Sequence, residues 1–166
     1  MAYRKINGQE HDLYLVNASG GGERQLATTG IARVGYSISP YNQVESRYYD
    51  WAPDSSSIAF AAERDGIANI YTVSRRDGAE TKLTNFTEAG VALNAPEWSS
   101  DGKRIVFSYQ YKNRDENGKA KRGLKVIDVS NGQITQVLET DRVFRLIGWT
   151  SDENGVIIVE PSKEYS

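Results

Sequence analysis

Residues 51–84 read WAPDSSSIAFAAERDGIANIYTVSRRDGAETKLT, and this stretch decides the fold. It contains three β-prone segments, at residues 57–61, 69–73 and 81–84, and each follows a turn rich in Asp, Ser or Gly. Short β-prone segments about ten residues apart, separated by Asp-Gly turns, are typical of an antiparallel meander. Together with a strand that ends at Trp51, the stretch predicts one four-stranded sheet.

The same pattern recurs along the chain. Residues 1–28 align without a gap on residues 58–85. A second landmark, a Trp followed three residues later by an Asp, begins at Trp51, Trp98 and Trp149. A period of roughly 40–55 residues is typical of propeller blades or of a repeat array, because one such unit cannot bury its own faces.

The repeat predicts an all-β fold: a β-propeller of four-stranded antiparallel blades that is incomplete, with about three blades. We expect a single partial propeller over residues 1–166. Its predicted parts are strands two to four of a first blade at 1–28, a second blade at 47–84, a third at 95–138 and a half blade at 145–160.

So few blades cannot close a ring, and open ends would expose sheet edges and apolar faces. We therefore expect self-association. Two chains could form a six-blade ring in which the terminal half blade of each is completed by strands of the other, as closed two-fold symmetry allows. One strand would have to be displaced, and an open arc or a swapped oligomer is the alternative.

The landmarks resemble the TolB-type propeller repeat, a WD40-like (PD40) pattern built around Trp-Ser-Pro-Asp-Gly. Its parts stand here, in order, as Trp51-Ala52-Pro53-Asp54, Ile58-Ala59-Phe60, Arg64-Asp65-Gly66, Ile70-Tyr71, Gly78-Ala79-Glu80 and Leu83-Thr84. The sequence departs from the pattern where Ser55 replaces the Gly and where Ser100 and Ser151 replace the Pro. These departures affect the expected geometry of the turns rather than the fold.

The resemblance implies a propeller in which the first strand of each blade lines a central channel, and it favours a periplasmic or other extracytoplasmic location. Relatives include the Tol-system protein TolB, sensory propellers and the accessory propellers of prolyl-oligopeptidase-like peptidases. The resemblance therefore leaves the function open.

The repeated aromatic and acidic landmarks have structural interpretations. We interpret the tryptophans as side chains that pack between blades. We interpret the aspartates as turn formers whose carboxylates accept local backbone N–H bonds. The residues concerned are Trp51, Trp98, Trp149, Asp54, Asp101 and Asp152.

Composition argues against several kinds of partner and chemistry. The net charge is −2 with both signs interspersed, so no nucleic-acid partner is expected. No run approaches the ~18 apolar residues of a membrane span. Cysteine is absent and His11 is the single histidine, which disfavours thiol chemistry and a transition-metal site. There is also no Gly-x-Ser-x-Gly elbow. We expect a non-enzymatic chain with no catalytic residue, no metal and no cofactor.

Two segments are longer than the repeat requires, and both are expected to emerge on one face of the propeller. The first connects Leu26 to Trp51, and the second runs from Tyr109 to Gly123. Tyr and Arg, which interface hot spots favour, are frequent in them. The candidate residues for a partner site on this face are Arg33, Tyr36, Tyr41, Arg47, Tyr48, Tyr109, Tyr111, Lys112, Lys121 and Arg122. The alternative for the second segment is an extended hairpin with a solvated basic tip.

Two functions remain open at this point. The first is a protein- or ligand-interaction or sensing module with a protein or peptide partner. The second is an accessory gating propeller of a prolyl-oligopeptidase-like hydrolase whose catalytic domain lies outside these 166 residues.

Overall fold

The computed structural model describes residues 2–7, 10–28 and 49–160, and this part of the chain forms antiparallel sheets with no helix. The sheets have the strand orders β1-β2-β3, β4-β5-β6-β7, β8-β9-β10-β11 and β12-β13. We refer to them as sheets 1 to 4. The strands are β1 (Ala2–Asn7), β2 (Glu10–Leu15), β3 (Arg24–Thr28), β4 (Tyr49–Trp51), β5 (Ser57–Arg64), β6 (Ile67–Ser74), β7 (Glu80–Lys82), β8 (Val91–Trp98), β9 (Arg104–Arg114), β10 (Ala120–Asp128), β11 (Ile134–Thr140), β12 (Arg145–Trp149) and β13 (Val156–Val159). The predicted all-β, incomplete propeller is confirmed.

Strands that are adjacent in a sheet are also consecutive in the sequence, so the sheets are simple meanders. The hairpin between β5 and β6 shows why. Asp65 and Gly66 form its two-residue turn, with φ values of 54° and 78°. Positive φ at both positions is the type I′ geometry that matches the twist of the flanking strands.

In sheets 3 and 4, the turn after the first strand of the blade is held by a Ser or Thr and an Asp. In sheet 3, the Ser99 hydroxyl donates to Asp101 Oδ1 at 2.7 Å and accepts the backbone N–H of Arg104 at 2.9 Å. Asp101 Oδ1 also accepts the backbone N–H of Lys103 at 3.0 Å. In sheet 4, Thr150 donates to Asp152 Oδ1 at 2.6 Å. The prediction that these aspartates are turn formers is confirmed.

The substitutions that depart from the repeat do not change the backbone of this turn. Ser55, Gly102 and Glu153 stand at the same repeat position, and their φ values are 60°, 70° and 58°. In sheet 2, Ala52 stands where the other turns have a hydroxyl, and Asp54 Oδ1 still accepts the N–H of Ser56 at 2.9 Å. The carboxylate is therefore the shared element of the three turns.

The core lies between the sheets. One cluster joins sheets 1 and 2 around Leu13, Phe60 and Val73. A second joins sheets 2 and 3 around Ile70 and Phe107. The third joins sheets 3 and 4, and its members include Val106, Leu124, Leu146, Trp149 and Ile158. Stacked sheets of this kind exclude water from their facing sides, which is the main favourable contribution to the fold.

Polar contacts fix how successive inner strands meet. Asp50 Oδ2 accepts the backbone N–H of Trp98 at 2.9 Å, and the carbonyl of Glu97 accepts Nε1–H of Trp149 at 3.1 Å. Arg104 lies over the Trp149 ring, 4.7 Å from its centroid, and donates to the carbonyl of Glu153 at 2.9 Å. Trp51 and Trp149 pack against the clusters between sheets, as predicted.

Three strands of sheet 3 extend beyond the expected bounds. β8 begins at Val91, whereas the repeat placed the start of this blade at residue 95. β9 continues to Arg114 and β10 begins at Ala120, so most of the segment from Tyr109 to Gly123 is paired strand rather than loop.

In the part of the chain that the structure describes, no helix is long and apolar enough to cross a membrane.

The Asp101 turn predicts a pH-dependent stability. Hydrogen bonds from the Ser99 hydroxyl and the Lys103 N–H lower the pKa of Asp101 below its usual value of 3.8. A folded-state pKa below the unfolded one means that the stabilisation is present above the unfolded pKa and is lost as pH falls through the folded one. Asp101→Asn should therefore reduce the drop in urea midpoint between about pH 6 and about pH 3. Glu116→Gln at an exposed hairpin tip is the charge-matched control and should leave the drop unchanged. An equal drop in wild type and Asp101→Asn would contradict the assignment.

Candidate functional site

The predicted partner face can be examined on its second segment. Arg33, Tyr36, Tyr41, Arg47 and Tyr48 lie outside the described residues. The other candidates lie on the hairpin of β9 and β10, which we call the long hairpin (residues 104–128).

The tip of the long hairpin is a compact turn. Asp115 Oδ1 accepts the backbone N–H groups of Asn117 and Lys119 at 2.9 and 2.8 Å. Arg114 donates to the carbonyl of Gly118 at 2.7 Å. The Asp115 carboxylate thus serves the turn itself, which agrees with the extended-hairpin alternative for this segment.

The long hairpin meets the connections that lead from one sheet to the next. Lys119 forms an ion pair with Asp141, in the connection from sheet 3 to sheet 4. The Tyr111 hydroxyl donates to Glu88 Oε2 at 3.1 Å, in the connection from sheet 2 to sheet 3. Lys112 pairs with Glu63 at 2.9 Å. Within the described residues, the long hairpin and the connections on either side of sheet 3 therefore meet at one end of the molecule.

Tyr109 is almost fully buried. Its side chain is only 4% exposed and packs in the cluster between sheets 2 and 3. The hydroxyl donates to Glu139 Oε2 at 3.2 Å, or to Gln136 Oε1 at 3.4 Å. Burial, with the neighbouring Glu139 charge, raises the pKa of Tyr109 to about 12. Its ring is therefore part of the wall between two sheets rather than a freely exposed side chain.

A small recess opens beside Tyr109, between sheets 2 and 3. Its volume is about 40 Å³. The lining side chains are apolar or aromatic except for one carboxylate and one ammonium, and they are Ala68, Phe86, Glu88, Val91, Leu93, Tyr109, Tyr111 and Lys125. Glu88 and Tyr111 come from the end of the molecule where the long hairpin meets the connections, so the recess belongs to that end.

Phe86 is held in the recess wall by a buried amide. Asn69 Oδ1 accepts the backbone N–H of Phe86 at 2.8 Å and the hydroxyl of Thr84 at 2.8 Å, while Asn69 Nδ2 donates to the carbonyl of Phe86 at 3.3 Å. Thr84 Oγ1 in turn accepts the backbone N–H of Ile70 at 3.0 Å. Because Asn69 is fully buried, these bonds are shielded from competing water. They fix the connection that carries both Phe86 and Glu88.

Lys125 is the charged side chain that the sequence did not single out. Its Nζ lies 5.1 Å from the ring centroid of Phe86 and 5.2 Å from that of Tyr109. These distances are within the range of attraction between an ammonium and an aromatic face. Among the described residues, no carboxylate forms an ion pair with this ammonium.

The other charges around the recess have partners. Glu139 pairs with Lys121 at 2.9 Å and also accepts the Tyr109 hydroxyl. The hydrogen bond from Lys121 is the main cause that lowers the pKa of Glu139. The same bond raises the pKa of Lys121. Arg122 does not line the recess, and its Nε makes a 3.5 Å contact with the carbonyl of Ala120.

The lining of the recess determines which groups it can hold. Within residues 2–7, 10–28 and 49–160, no group of three or more His, Cys, Asp or Glu side chains could hold a metal ion. What the recess offers is apolar side chains, three aromatic rings, the Lys125 ammonium and the Glu88 carboxylate, which already accepts the Tyr111 hydroxyl. That combination can hold a small apolar group next to a negative charge.

No protein-family model matches the chain. It is 27% identical over 105 residues to an uncharacterised protein of Agrobacterium fabrum, which is 63% of this chain and 30% of that protein. It is 33% identical over 72 residues to the uncharacterised peptidase YuxL of Bacillus subtilis, which is 42% of this chain and 10% of that protein. The chain thus spans less than a third of the length of these curated relatives.

Solved structures give the same fold. TolB from Acinetobacter baumannii superposes with a TM-score of 0.66 and 20% identity, covering 96% of this chain and 35% of that one. The acylaminoacyl peptidase of Pyrococcus horikoshii superposes with a TM-score of 0.64 and 16% identity, covering 98% of this chain and 26% of that one. The chain has the fold of TolB-type β-propellers, and the suspected resemblance is confirmed.

Gly123 provides the test of how Tyr109 is placed. A Cβ on Gly123 would overlap the backbone carbonyl of Leu138 and come within 2.8 Å of the Tyr109 hydroxyl. Gly123→Ala should lower the free energy of unfolding by about 1–3 kcal/mol, because the neighbouring strand and the ring must both move. Gly155→Ala is the control, since its Cβ would meet Thr150 at 3.4 Å, an ordinary contact. Urea unfolding measures both, and equal stabilities would refute the close packing over Gly123.

Proposed function

We propose that this chain is a non-enzymatic interaction module of a propeller protein, which binds a protein or peptide partner at the recess between sheets 2 and 3. The observation that carries the proposal is the Lys125 ammonium, held over the Phe86 and Tyr109 rings at the edge of an apolar recess. Loops at one end of a rigid scaffold are where binding residues concentrate.

The size of the recess supports a small aliphatic group as its occupant. A recess volume of about 40 Å³ suits a small aliphatic group. Ala68, Val91 and Leu93 offer such a group apolar contacts. An alanine or valine side chain of a peptide fits this description.

The positive charge of Lys125 beside the recess supports a ligand that carries a carboxylate next to that aliphatic group. Glu139 is already shared by Lys121 and Tyr109, and Glu88 accepts the Tyr111 hydroxyl. Lys125 is the cation at the recess whose contacts are ring faces, so a ligand carboxylate could approach it without breaking an ion pair. A peptide with a small aliphatic C-terminal residue supplies both groups, and we take it as the ligand class.

Titration calorimetry with a short peptide tests this proposal. The probe is acetyl-Gly-Gly-Ala-Val with a free C-terminus, and the same peptide as a C-terminal amide is the comparison. The acid should bind more tightly than the amide, and Lys125→Gln should weaken binding of the acid about 10-fold, as loss of a charge-assisted hydrogen bond predicts. Lys103→Gln, in the turn at the opposite end of β9, is the matched control and should bind like wild type. Equal binding of acid and amide would overturn the ligand class.

The other candidate is an accessory propeller that controls access to a hydrolase domain. The 33% identity to the peptidase YuxL and the likeness in fold to an acylaminoacyl peptidase favour it. A Gly-x-Ser-x-Gly domain elsewhere in the same gene product, together with slower hydrolysis of long peptides than of short ones by that whole protein, would support this candidate. A gene product without such a domain would exclude it.

A further inference from the structure

Three Asn-Gly pairs lie in turns of the described chain, and all three asparagines are exposed. One pair belongs to the tip of the long hairpin, one lies between β10 and β11, and one lies between β12 and β13. The pairs are Asn117-Gly118, Asn131-Gly132 and Asn154-Gly155. Asn-Gly is frequent in turns because both residues tolerate positive φ. It is also a reactive dipeptide, and the surroundings of the three pairs differ.

The reaction open to such a pair is deamidation. The backbone nitrogen of the glycine attacks Cγ of the asparagine, an N–C bond forms, and the side-chain amide leaves as ammonia with the proton that the glycine nitrogen loses. Water then adds to either carbonyl carbon of the resulting succinimide and opens it to aspartate or isoaspartate. Glycine favours the attack because it has no side chain that would hinder the approach.

The attacking nitrogen is held to a similar degree in all three turns. Each glycine N–H donates a hydrogen bond within its own turn, at 2.9 Å for Gly118, 2.8 Å for Gly132 and 3.0 Å for Gly155. These bonds must open before any of the three nitrogens can react. A difference in reactivity among the pairs must therefore come from the asparagine side chains or from the space around them.

The asparagine side chains are held differently. Asn131 Oδ1 accepts the backbone N–H of Gln133 at 2.8 Å, and Asn154 Nδ2 donates to Asp152 Oδ2 at 3.3 Å. Each of these amides must leave its partner before Cγ can turn towards the glycine nitrogen. At Asn117 the backbone N–H donates to Asp115, and within the described residues no hydrogen bond holds the side-chain amide.

The space next to the glycine also favours the first pair. A Cβ placed on Gly118 would meet no atom within 4 Å. The same atom would lie 4.0 Å from the carbonyl oxygen of Leu83 at Gly132, and 3.4 Å from Thr150 at Gly155. The tip of the long hairpin is therefore the most open of the three turns, and a side chain can reorient there without displacing a neighbour.

We propose that Asn117 is a deamidation site, at which the folded chain is converted to aspartate or isoaspartate faster than at Asn131 or Asn154. The product places a new negative charge at the tip, next to Gly118 and Lys119. Lys119 already forms an ion pair with Asp141 in the connection from sheet 3 to sheet 4. The modification therefore changes the charge of the end of the molecule that the long hairpin shares with the connections.

Peptide mass spectrometry of the ageing protein is the first test. The folded protein is incubated at mildly alkaline pH and digested, and the replacement of NH2 by OH is followed in the peptide that contains each pair. Asn117 should react about 5-fold faster than the other two, as expected when one hydrogen bond fewer must be broken. The chain unfolded in urea is the matched control, and there the three rates should converge. Asn117→Gln should remove the signal from its peptide alone.

Asp152→Asn tests the cause of the difference. This variant keeps the Oδ1 acceptor of the turn and replaces the oxygen that binds Asn154 Nδ2, so the Asn154 amide loses its acceptor. The deamidation rate of Asn154 should rise several-fold towards that of Asn117, whose own rate should not change. Circular dichroism checks that the variant remains folded.

The outcomes separate the explanations. Faster reaction at Asn117 in the folded protein, with convergence in urea and a faster Asn154 in Asp152→Asn, supports the proposal. Equal rates in the folded protein, or faster reaction at Asn131 or Asn154, would overturn it. A difference that persists in urea would overturn it as well, because its cause would then be the sequence rather than the fold. An unchanged Asn154 rate in Asp152→Asn would refute protection by the side-chain hydrogen bond.

Discussion

Face-to-face burial of neighbouring sheets is the interaction on which the rest of this structure depends. The middle strands of sheets 2 and 3 are apolar on both sides: β5 is buried at five successive positions, and β9 at three. A meander of that composition cannot shield itself, and each face must be covered by the next sheet. The clusters around Phe60, Phe107 and Leu146 are the consequence, one at each junction. Turns, polar contacts and the candidate site are all arranged around these junctions.

The polar contacts then decide how one sheet sits on the next. Apolar burial has no direction, whereas a hydrogen bond to a particular backbone group does. Asp50 and Glu97 stand at equivalent positions on the innermost strands, and each accepts a bond from a tryptophan of the following sheet. Asn69 acts similarly on the connection between sheets 2 and 3. The recess exists because that connection is fixed while the side chains next to it do not fill the junction.

The sequence was sufficient for the fold because its information is local and repeated. The Asp65-Gly66 turn, the Asp101 turn and the alternation of apolar runs each specify a neighbouring pair of strands, and repetition removes the ambiguity of any single instance. The candidate site could be predicted less completely from the sequence. Tyr109 was expected at a surface, but it is buried inside a junction with its hydroxyl close to Gly123, and that depends on which faces of two sheets meet.

Lys125 is a site residue whose role could not be predicted from the sequence. Within β10 it reads as an ordinary polar residue between apolar ones, and Phe86 reads as part of a connection. Their meeting depends on Asn69 holding Phe86 from a strand of the neighbouring sheet, a contact across 17 residues that no periodicity encodes. The sequence does place a polar side chain, Asn69, within the apolar run of β6. Without the pairing of sheets, its target could not be identified.

The recess and the exposed apolar side of sheet 4, which carries Ile147, Ile157 and Val159, are independent features of the chain. The recess lies between sheets 2 and 3, which are both complete within one copy, so ligand binding there requires no second chain. The exposed apolar side lies on the far side of sheet 4, beyond the junction around Leu146. Ligand binding at the recess can therefore be measured on a single copy, whatever covers the far side of sheet 4.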